Sequence, residues 1–234
     1  MARIRQNLSS ESLFHFVSQL DYLMDIIQNG FVARYCYENF PLLNLPVGIP
    51  MKCFCDIPLG QIKVHISNYK GYGIGITKKF AMQKKITPVI YVHEKSATLL
   101  NYLKVIKSNS DDNLEGILPY FKIYEEKKSS TNKFPKRYYD EREWRFIPDK
   151  PEYIDLRNLT KTEIDVSIKK SNLSLPPRYR FIVPIDEIVY LFVEKENDLL
   201  PLIQKINNLN LIKNPEKDLL ISKIITSRQI RYDF

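Results

Sequence analysis

The sequence is poor in cysteine, and it has no long apolar run. Three cysteines (Cys36, Cys53 and Cys55) in 234 residues are too few, and odd in number, for a disulfide framework, so they favour a reducing compartment. No segment approaches the roughly 20 consecutive apolar residues that a membrane-spanning helix needs, and Arg3 and Arg5 interrupt the start of the chain. We therefore expect a soluble, cytoplasmic protein that does not associate with membranes.

Glycine is scarce as well, and neither common phosphate-binding glycine motif occurs. The chain has seven glycines and contains no GxGxxG or GxxxxGK(S/T) sequence, so no motif predicts a nucleotide site of those kinds. Gly71, Gly73 and Gly75 alternate in "GYGIGITK", and residues i and i+2 of a strand share one face. The pattern leaves a strand face without side chains, which we interpret as a place of tight internal packing in preference to a ligand contact.

The order of predicted segments indicates an α+β fold with a mainly antiparallel sheet and flanking helices. The predicted strands are 12–17, 51–57, 72–78, 88–93, 141–147, 178–183 and 187–194, with an edge strand within 219–234; the predicted helices are 18–30, 58–69, 95–107, 113–127 and 197–207; prolines predict a loop at 36–50. Strands and helices do not alternate strictly, which favours α+β. We expect one domain over residues 1–234, with a motif-bearing core at about 10–150 and a helical insertion at about 95–130.

The charge balance is basic, with a formal net charge of +8 at pH 7. Excess lysine and arginine attract nucleic-acid phosphates regardless of base sequence, and aromatic residues, at 12% of the chain, offer stacking surfaces. A solvated basic surface explains the same charge without a nucleic-acid partner. We favour the solvated surface and keep nucleic acid as an alternative predicted partner.

The segment "MKCFCDI" predicts a strand whose cysteines lie on an apolar face. On a strand, Cys53 and Cys55 share a face with Met51 and Ile57. A structural zinc site needs four cysteine or histidine ligands at recognisable spacing. The remaining candidate ligands form no second paired motif: Cys36, His15, His65 and His93. We therefore predict buried core thiols and no metal site.

The motif "YYDEREWRF" places charges and aromatic rings on opposite faces of a predicted strand. Glu141, Glu143 and Arg145 share one face, while Trp144 and Phe146 lie on the other. If the aromatic face is core, as we predict for Trp144, the charged row faces a cleft or solvent. Such a row suits polarisation of a substrate hydroxyl or stabilisation of a developing cation, and the alternative is a surface ladder of ion pairs.

Four segments, in this order, resemble the AbiGi family of abortive phage-infection proteins: "LFHFVSQLDYLMDIIQNGF", "PMKCFCDIPLGQIKVHISNYKGYGIGITK", "PVIYV" and "YYDEREWRF". The resemblance covers residues of about 10–150, and its most specific parts are the CFCDIPL and YGIG segments. It implies a bacterial antiphage protein that is the antitoxin-type component of a two-gene defence system. Its implied partner is a cognate toxin protein, and the resemblance assigns no role to any residue.

The opening strand and helix also resemble the start of DarT-type ADP-ribosyltransferases. In those enzymes a strand with a histidine precedes a helix that ends in glycine, as in "LFHF" followed by "LDYLMDIIQNGF", and the strand helps to hold NAD. The resemblance implies an ADP-ribosyltransferase-like fold with NAD as cofactor and with His15 and Arg34 as cofactor-binding residues. It implies Glu143 as the catalytic carboxylate, which would stabilise an oxocarbenium-like state, with Glu141 as its alternative.

Two classes of function therefore stay open. One is a non-catalytic defence component that binds a toxin or nucleic acid. The other is an NAD-dependent ADP-ribosyltransferase-like enzyme that acts on nucleic acid or protein. The enzyme requires His15, Arg34 and Glu143 to meet in one pocket, whereas a binding protein does not.

Overall fold

The structure is a computed structural model, and it describes residues 9–40, 45–63, 66, 71–93, 96–97, 101, 104–105, 116–126, 135–210 and 212–233. The strands are β1 (Ser12–Val17), β2 (Phe31–Val32), β3 (Arg34–Phe40), β4 (Leu45–Cys55), β5 (Tyr72–Thr77), β6 (Thr87–Pro88), β7 (Ile90–Val92), β8 (Phe121–Ile123), β9 (Glu143–Phe146), β10 (Ile154–Asp155), β11 (Arg180–Phe181), β12 (Ile188–Val193) and β13 (Ile224–Thr226). The helices are α1 (Leu20–Asn29), α2 (Lys78–Gln83), α3 (Lys161–Ser171), α4 (Leu199–Asn207), α5 (Asn214–Ile221) and α6 (Ser227–Asp233). His65, most of the helix predicted at 95–107 and part of the helix predicted at 58–69 lie outside the described residues; within 58–69, Leu59–Gln61 forms a 3₁₀ turn.

The chain divides into two compact units, each built from separate stretches of sequence. Unit 1 contains the described residues of 1–31, 54–85 and 181–234, and unit 2 contains those of 32–53 and 86–180. Strands and helices are mixed, and most strand pairs are antiparallel, so the predicted α+β class is confirmed. The single domain and the ADP-ribosyltransferase-like fold stay predictions. Within the described chain, no helix has the length and apolar character to cross a membrane.

Unit 1 is organised around four paired strands. β1 and β5 pair antiparallel from Ser12 opposite Thr77 to Val17 opposite Tyr72. β5 pairs antiparallel with β12, and β12 pairs in parallel with β13, which confirms the predicted edge strand. An apolar cluster that includes rings from β1 and β12 forms a core of this unit. The strands predicted at 12–17, 72–78 and 187–194 are therefore confirmed.

Helix α1 was predictable from its apolar stripe and its glycine. Leu23, Met24, Ile26 and Ile27 are buried on one face, as expected for a helix that packs on a sheet. The helix begins after Gln19 and ends at Gly30, whose φ is +80°. A Cβ atom at Gly30 would stand 2.2 Å from the carbonyl oxygen of Phe181, so both the backbone angle and the space favour glycine.

The glycine face of β5 is covered by aromatic rings of the same unit. A Cβ atom at Gly73 would lie 2.7 Å from the Phe16 ring, and one at Gly75 would lie 2.9 Å from the Phe14 ring. Side chains at these positions would displace the rings. The prediction of tight internal packing on this face is confirmed.

Unit 2 contains a long hairpin where a loop was predicted. β3 and β4 pair antiparallel from Arg34 opposite Met51 to Phe40 opposite Leu45, so the loop predicted at 36–50 is wrong for its described residues, 36–40 and 45–50. Proline lacks an N–H group but keeps its carbonyl, so it fits a strand wherever its nitrogen needs no partner. The carbonyl of Pro46 accepts a hydrogen bond from the amide of Leu156 at 3.3 Å. The hairpin contributes Val47, Ile49 and Met51 to an apolar core.

Two other segments of unit 2 differ from the prediction. In the described part of the helix predicted at 113–127, the chain forms a 3₁₀ turn at Leu118–Tyr120 and then strand β8, which pairs in parallel with β7. Helix α3 was not predicted. None of its residues is fully buried, but Ile164 and Ile168, four positions apart, are half-buried, and Ile168 packs against the apolar cluster of Tyr35 and Tyr179. The helix begins with a capping box formed by Thr160 and Glu163.

Candidate functional site

Strand β9 buries its charged face. Glu143 is 5% exposed and Arg145 is 0% exposed, whereas Trp144 and Phe146 are half-buried. The prediction that Trp144 is core, with the charged row facing a cleft or solvent, is therefore wrong. The physical reason is that carboxylates and cations from several segments neutralise one another inside unit 2, which allows charged groups to be enclosed.

Arg145 is held from three sides. Its Nε donates to Oε1 of Glu143 at 2.6 Å, and its Nη2 donates to Oε1 of Glu38 at 2.8 Å. Its Nη1 donates to the carbonyl oxygen of Pro119 at 2.5 Å. The planar guanidinium thus connects β9, β3 and the turn that precedes β8, and its donor geometry fits this task better than a lysine would.

Lys122 connects Glu143 to one further carboxylate, Glu141. It lies on β8, and its Nζ donates to Glu143 and, at 3.0 Å, to Oε2 of Glu141. The other oxygen of Glu141 is 2.6 Å from Nζ of Lys136, whose side chain is 45% exposed. The six residues form an alternating chain of charges, called the ionic network below: Glu38, Arg145, Glu143, Lys122, Glu141 and Lys136.

The ionic network keeps its central carboxylates ionised. Burial alone would raise the pKa of Glu143, but the charges of Arg145 and Lys122 outweigh it and lower the pKa to about 2. The pKa of Glu141 is also lowered, because Lys122 and Lys136 outweigh its burial. Glu38 differs, since burial raises its pKa despite the opposing charge of Arg145. Glu141 and Glu143 are therefore anions at neutral pH, each engaged by cations of the same chain.

Cys53 adjoins the ionic network and is not activated as a nucleophile. Burial raises the pKa of its thiol well above the usual value, and the charge of Glu143, with which it shares a hydrogen bond, raises it further. A thiol that stays protonated is a poor nucleophile and metal ligand. Cys55 is buried as predicted, whereas Cys53 is half-buried. Among the described residues, no three histidine, cysteine or acidic side chains are grouped to hold a metal ion.

Tyrosines form a second layer beside the ionic network. The hydroxyl of Tyr91 accepts a hydrogen bond from the Glu143 amide at 2.9 Å. The rings of Tyr91 and Tyr124 lie 5.3 Å and 5.4 Å from the ring of Tyr139, and Nζ of Lys122 lies 4.9 Å from the centroid of Tyr138. These contacts fix the backbone of β9 and the position of Lys122.

The residues assigned to NAD and catalysis occupy different surroundings. His15 belongs to unit 1, where its half-buried ring packs near Phe31 at 5.5 Å and Phe54 at 5.8 Å. Arg34 is exposed at the start of β3, and the residue by which that strand joins the ionic network is Glu38. Glu141 and Glu143 are brought together in unit 2. The cofactor and catalytic roles of all four residues stay predictions.

Sequence reasoning missed Glu38 and Lys122. Glu38 fell in the segment predicted as a loop, so its place on a strand face was not considered. Lys122 stands between apolar neighbours in "YFKIY", where a single cation among buried positions signals a buried partner. That signal was lost because the segment was predicted as a helix.

Comparisons with known proteins match the region that holds the ionic network. A family model described as "Putative abortive phage resistance protein AbiGi, antitoxin" matches residues 29–176. The chain is also similar to an abortive phage resistance protein AbiGi of Lactococcus lactis subsp. cremoris. The alignment is 249 residues long at 28% identity, and it covers 88% of this chain and 100% of that relative. No solved structure matches. Neither matching description refers to ADP-ribosyl transfer.

Proposed function

Because the chain belongs to the AbiGi family of abortive phage resistance proteins, we propose that it is the antitoxin of a two-gene defence system and acts by binding its cognate toxin. The family match over residues 29–176 is the observation that carries this proposal. The antitoxin description implies a toxic partner protein. Nucleic acid stays a second predicted partner, and it rests on the net charge of +8.

The state of the two candidate catalytic glutamates supports binding without catalysis. Glu143 is engaged by Arg145 and Lys122, and Glu141 is engaged by Lys122 and Lys136. A ribose or pyrophosphate that approached these carboxylates would have to displace cations that also neutralise them, which leaves buried charge uncompensated. A role in holding β3, β8 and β9 together requires no such displacement.

Co-expression tests the proposal. The product of the gene next to this one is expressed under one inducible promoter and this chain under another, and growth and phage plaques are counted. We expect the neighbouring product alone to arrest growth and this chain to restore it. We also expect the two proteins to copurify. Growth arrest that persists at excess antitoxin, with no copurification, would contradict the proposal.

A pair of variants separates binding from catalysis. Glu141→Gln removes a candidate catalytic charge with little change in shape, and Asp140→Asn makes the same change at the exposed neighbour. We expect both variants to neutralise the toxin as the wild type does, and we expect no nicotinamide release from NAD by the wild type. Loss of neutralisation in Glu141→Gln alone, together with nicotinamide release by the wild type, would establish the enzyme instead.

A further inference from the structure

Unit 1 carries an open groove, and no residue of the ionic network lines it. Its cavity volume is about 570 Å³, which lies within the range of sites that receive small ligands or a few side chains of a partner. The last turn of α1 forms one side of the groove, and residues 182–186 form another. The segment after α4 and one face of α5 complete it.

The groove exposes apolar side chains on an apolar floor. Ile27 and Leu209 line it and are 8% and 4% exposed, so they form a buried base. Above them, Ile182 is 65% exposed and Leu219 is 42% exposed. Neighbouring exposed apolar groups in a concave surface are typical of protein docking sites, because a partner removes them from water.

The charges that line the groove are acidic, although the chain as a whole is basic. Asp186 and Glu216 are its charged lining residues, and the protein carries a net charge of +8. Helix α1 ends at the groove with no basic residue in its last turn, so the negative end of its dipole adds to the acidic character. Lys223 offsets part of the Asp186 charge, but its ammonium group donates to the carbonyl of Ile185 at 2.6 Å.

We propose that this groove docks an amphipathic segment of the cognate toxin, one that presents apolar side chains flanked by lysine or arginine. The inference rests on the proposed antitoxin function and names the surface that performs it. Apolar side chains of the toxin segment fill the space between Ile182 and Leu219, and its cations face Asp186 and Glu216. This is the groove mode of peptide recognition, in which apolar anchors give affinity and complementary charge gives orientation and association rate.

Substitutions at the exposed positions test the groove without disturbing its base. Ile182→Lys and Leu219→Lys each place a cation where apolar contact is expected. Leu200→Lys is the control, because it makes the same change at a 68% exposed leucine on α4 that does not line the groove. The probe is the purified product of the neighbouring gene, titrated calorimetrically into the full-length chain. Thermal unfolding of each variant confirms that the fold is kept.

We expect Ile182→Lys and Leu219→Lys to weaken binding at least tenfold and to lose toxin neutralisation, while Leu200→Lys behaves as the wild type. Asp186→Lys should weaken binding mainly by slowing association at low salt. If the wild type binds and neutralises the toxin, and the groove variants do so equally well, the docking role of the groove is contradicted and the antitoxin function stands. If the wild type neither binds nor neutralises, both proposals fall. A wild-type dimer that Ile182→Lys dissociates would also overturn the proposal, because the groove would then join two copies of this chain.

Discussion

Glu143 and Arg145 are charged groups without access to bulk water, and their effect on stability depends on their neighbours. Enclosing a carboxylate or a guanidinium removes its hydration, and close opposite charges with good hydrogen bonds offset that cost. Glu143 has both Arg145 and Lys122 as partners, and Arg145 has Glu38 in addition. Loss of Glu143 or Arg145 leaves its partners enclosed without compensation, so substitutions at these two positions should be costly, whereas Glu141 lies toward the end of the ionic network, next to the 45% exposed Lys136.

Glu143→Gln is expected to lower the free energy of unfolding by about 3–5 kcal/mol, the usual cost of breaking a buried ion pair on one side. Urea denaturation followed by circular dichroism measures the change. Arg137→Gln is the control, because it removes an ion pair with Asp140 in which both side chains are more than half exposed, and its denaturation midpoint should not move. Equal midpoints for Glu143→Gln and the wild type would show that the ionic network does not stabilise the fold.

The contribution of Glu143 should also depend on pH. Burial raises the pKa of Glu143, but Arg145 and Lys122 outweigh it and lower the pKa from 4.5 to about 2. A carboxyl whose pKa is lower in the folded state stabilises the protein above its unfolded pKa, and this stabilisation is lost as the pH falls through the folded pKa. The unfolding free energies of the wild type and Glu143→Gln should therefore converge between pH 4.5 and pH 2. Urea titrations across this range measure the difference, and a gap that stays constant down to pH 2 would exclude the carboxylate charge as its source.

Strand alternation predicted that Glu143 and Arg145 share a face and failed to predict that this face is buried. Glu141, which was predicted on the same strand face, instead lies in a 3₁₀ turn at Tyr138–Glu141 that precedes β9. Glu143 and Arg145 do lie together, as the motif "EREWR" indicates. The choice of buried face depends on partners that are distant in sequence: Lys122 is 21 residues from Glu143, and Glu38 is 107 residues from Arg145. The aromatic neighbours suggested the wrong face because the motif alone shows neither Lys122, the second cation of Glu143, nor Glu38, the second carboxylate of Arg145.

At the scale of elements, prediction succeeded where apolar periodicity was strong. β1, β5, β12 and α1 were found in this way. The hairpin of β3 and β4 was missed because prolines were taken as breakers, although Pro50 stands opposite Tyr35 inside the paired region. Helix α3 was missed because its apolar face is short: only Ile164 and Ile168 are half-buried apolar residues on it, and most of its other side chains are charged or polar, so the apolar stripe in the sequence is weak.

The end of α1 offers a test of one element boundary that the sequence did predict. Gly30→Ala should lower the free energy of unfolding by about 1–3 kcal/mol, because alanine is strained at a φ of +80° and its Cβ would meet the Phe181 carbonyl at 2.2 Å. Thermal and urea unfolding measure the loss. Gln28→Ala, an exposed change in the last turn of the same helix, is the control and should be nearly neutral. An unchanged stability of Gly30→Ala would mean that the chain relaxes around this position.

At the scale of the whole molecule, the distribution of charge separates two kinds of partner. The ionic network pairs three cations with three carboxylates, so it adds nothing to the net charge of +8. The groove of unit 1 is lined by acidic and apolar residues. The basic surplus therefore comes from residues outside the ionic network and the lining of the groove, and such charge attracts phosphate without base recognition. A toxin that enters the groove would rely chiefly on apolar contact.

These two kinds of binding should respond differently to salt. Each phosphate that a protein neutralises releases a counterion, so affinity for DNA or RNA should fall by about a thousandfold or more between 50 mM and 200 mM salt if six or more phosphates are contacted. Burial of apolar groups is not screened by salt, so the complex with the toxin should lose only a small part of its affinity over the same range. Mobility-shift assays with an arbitrary duplex and an arbitrary single strand, run beside calorimetry with the neighbouring gene product, measure both dependences. A nucleic-acid complex that survives 200 mM salt and prefers one sequence would make nucleic acid the specific partner, because sequence-independent attraction to phosphate cannot produce that combination.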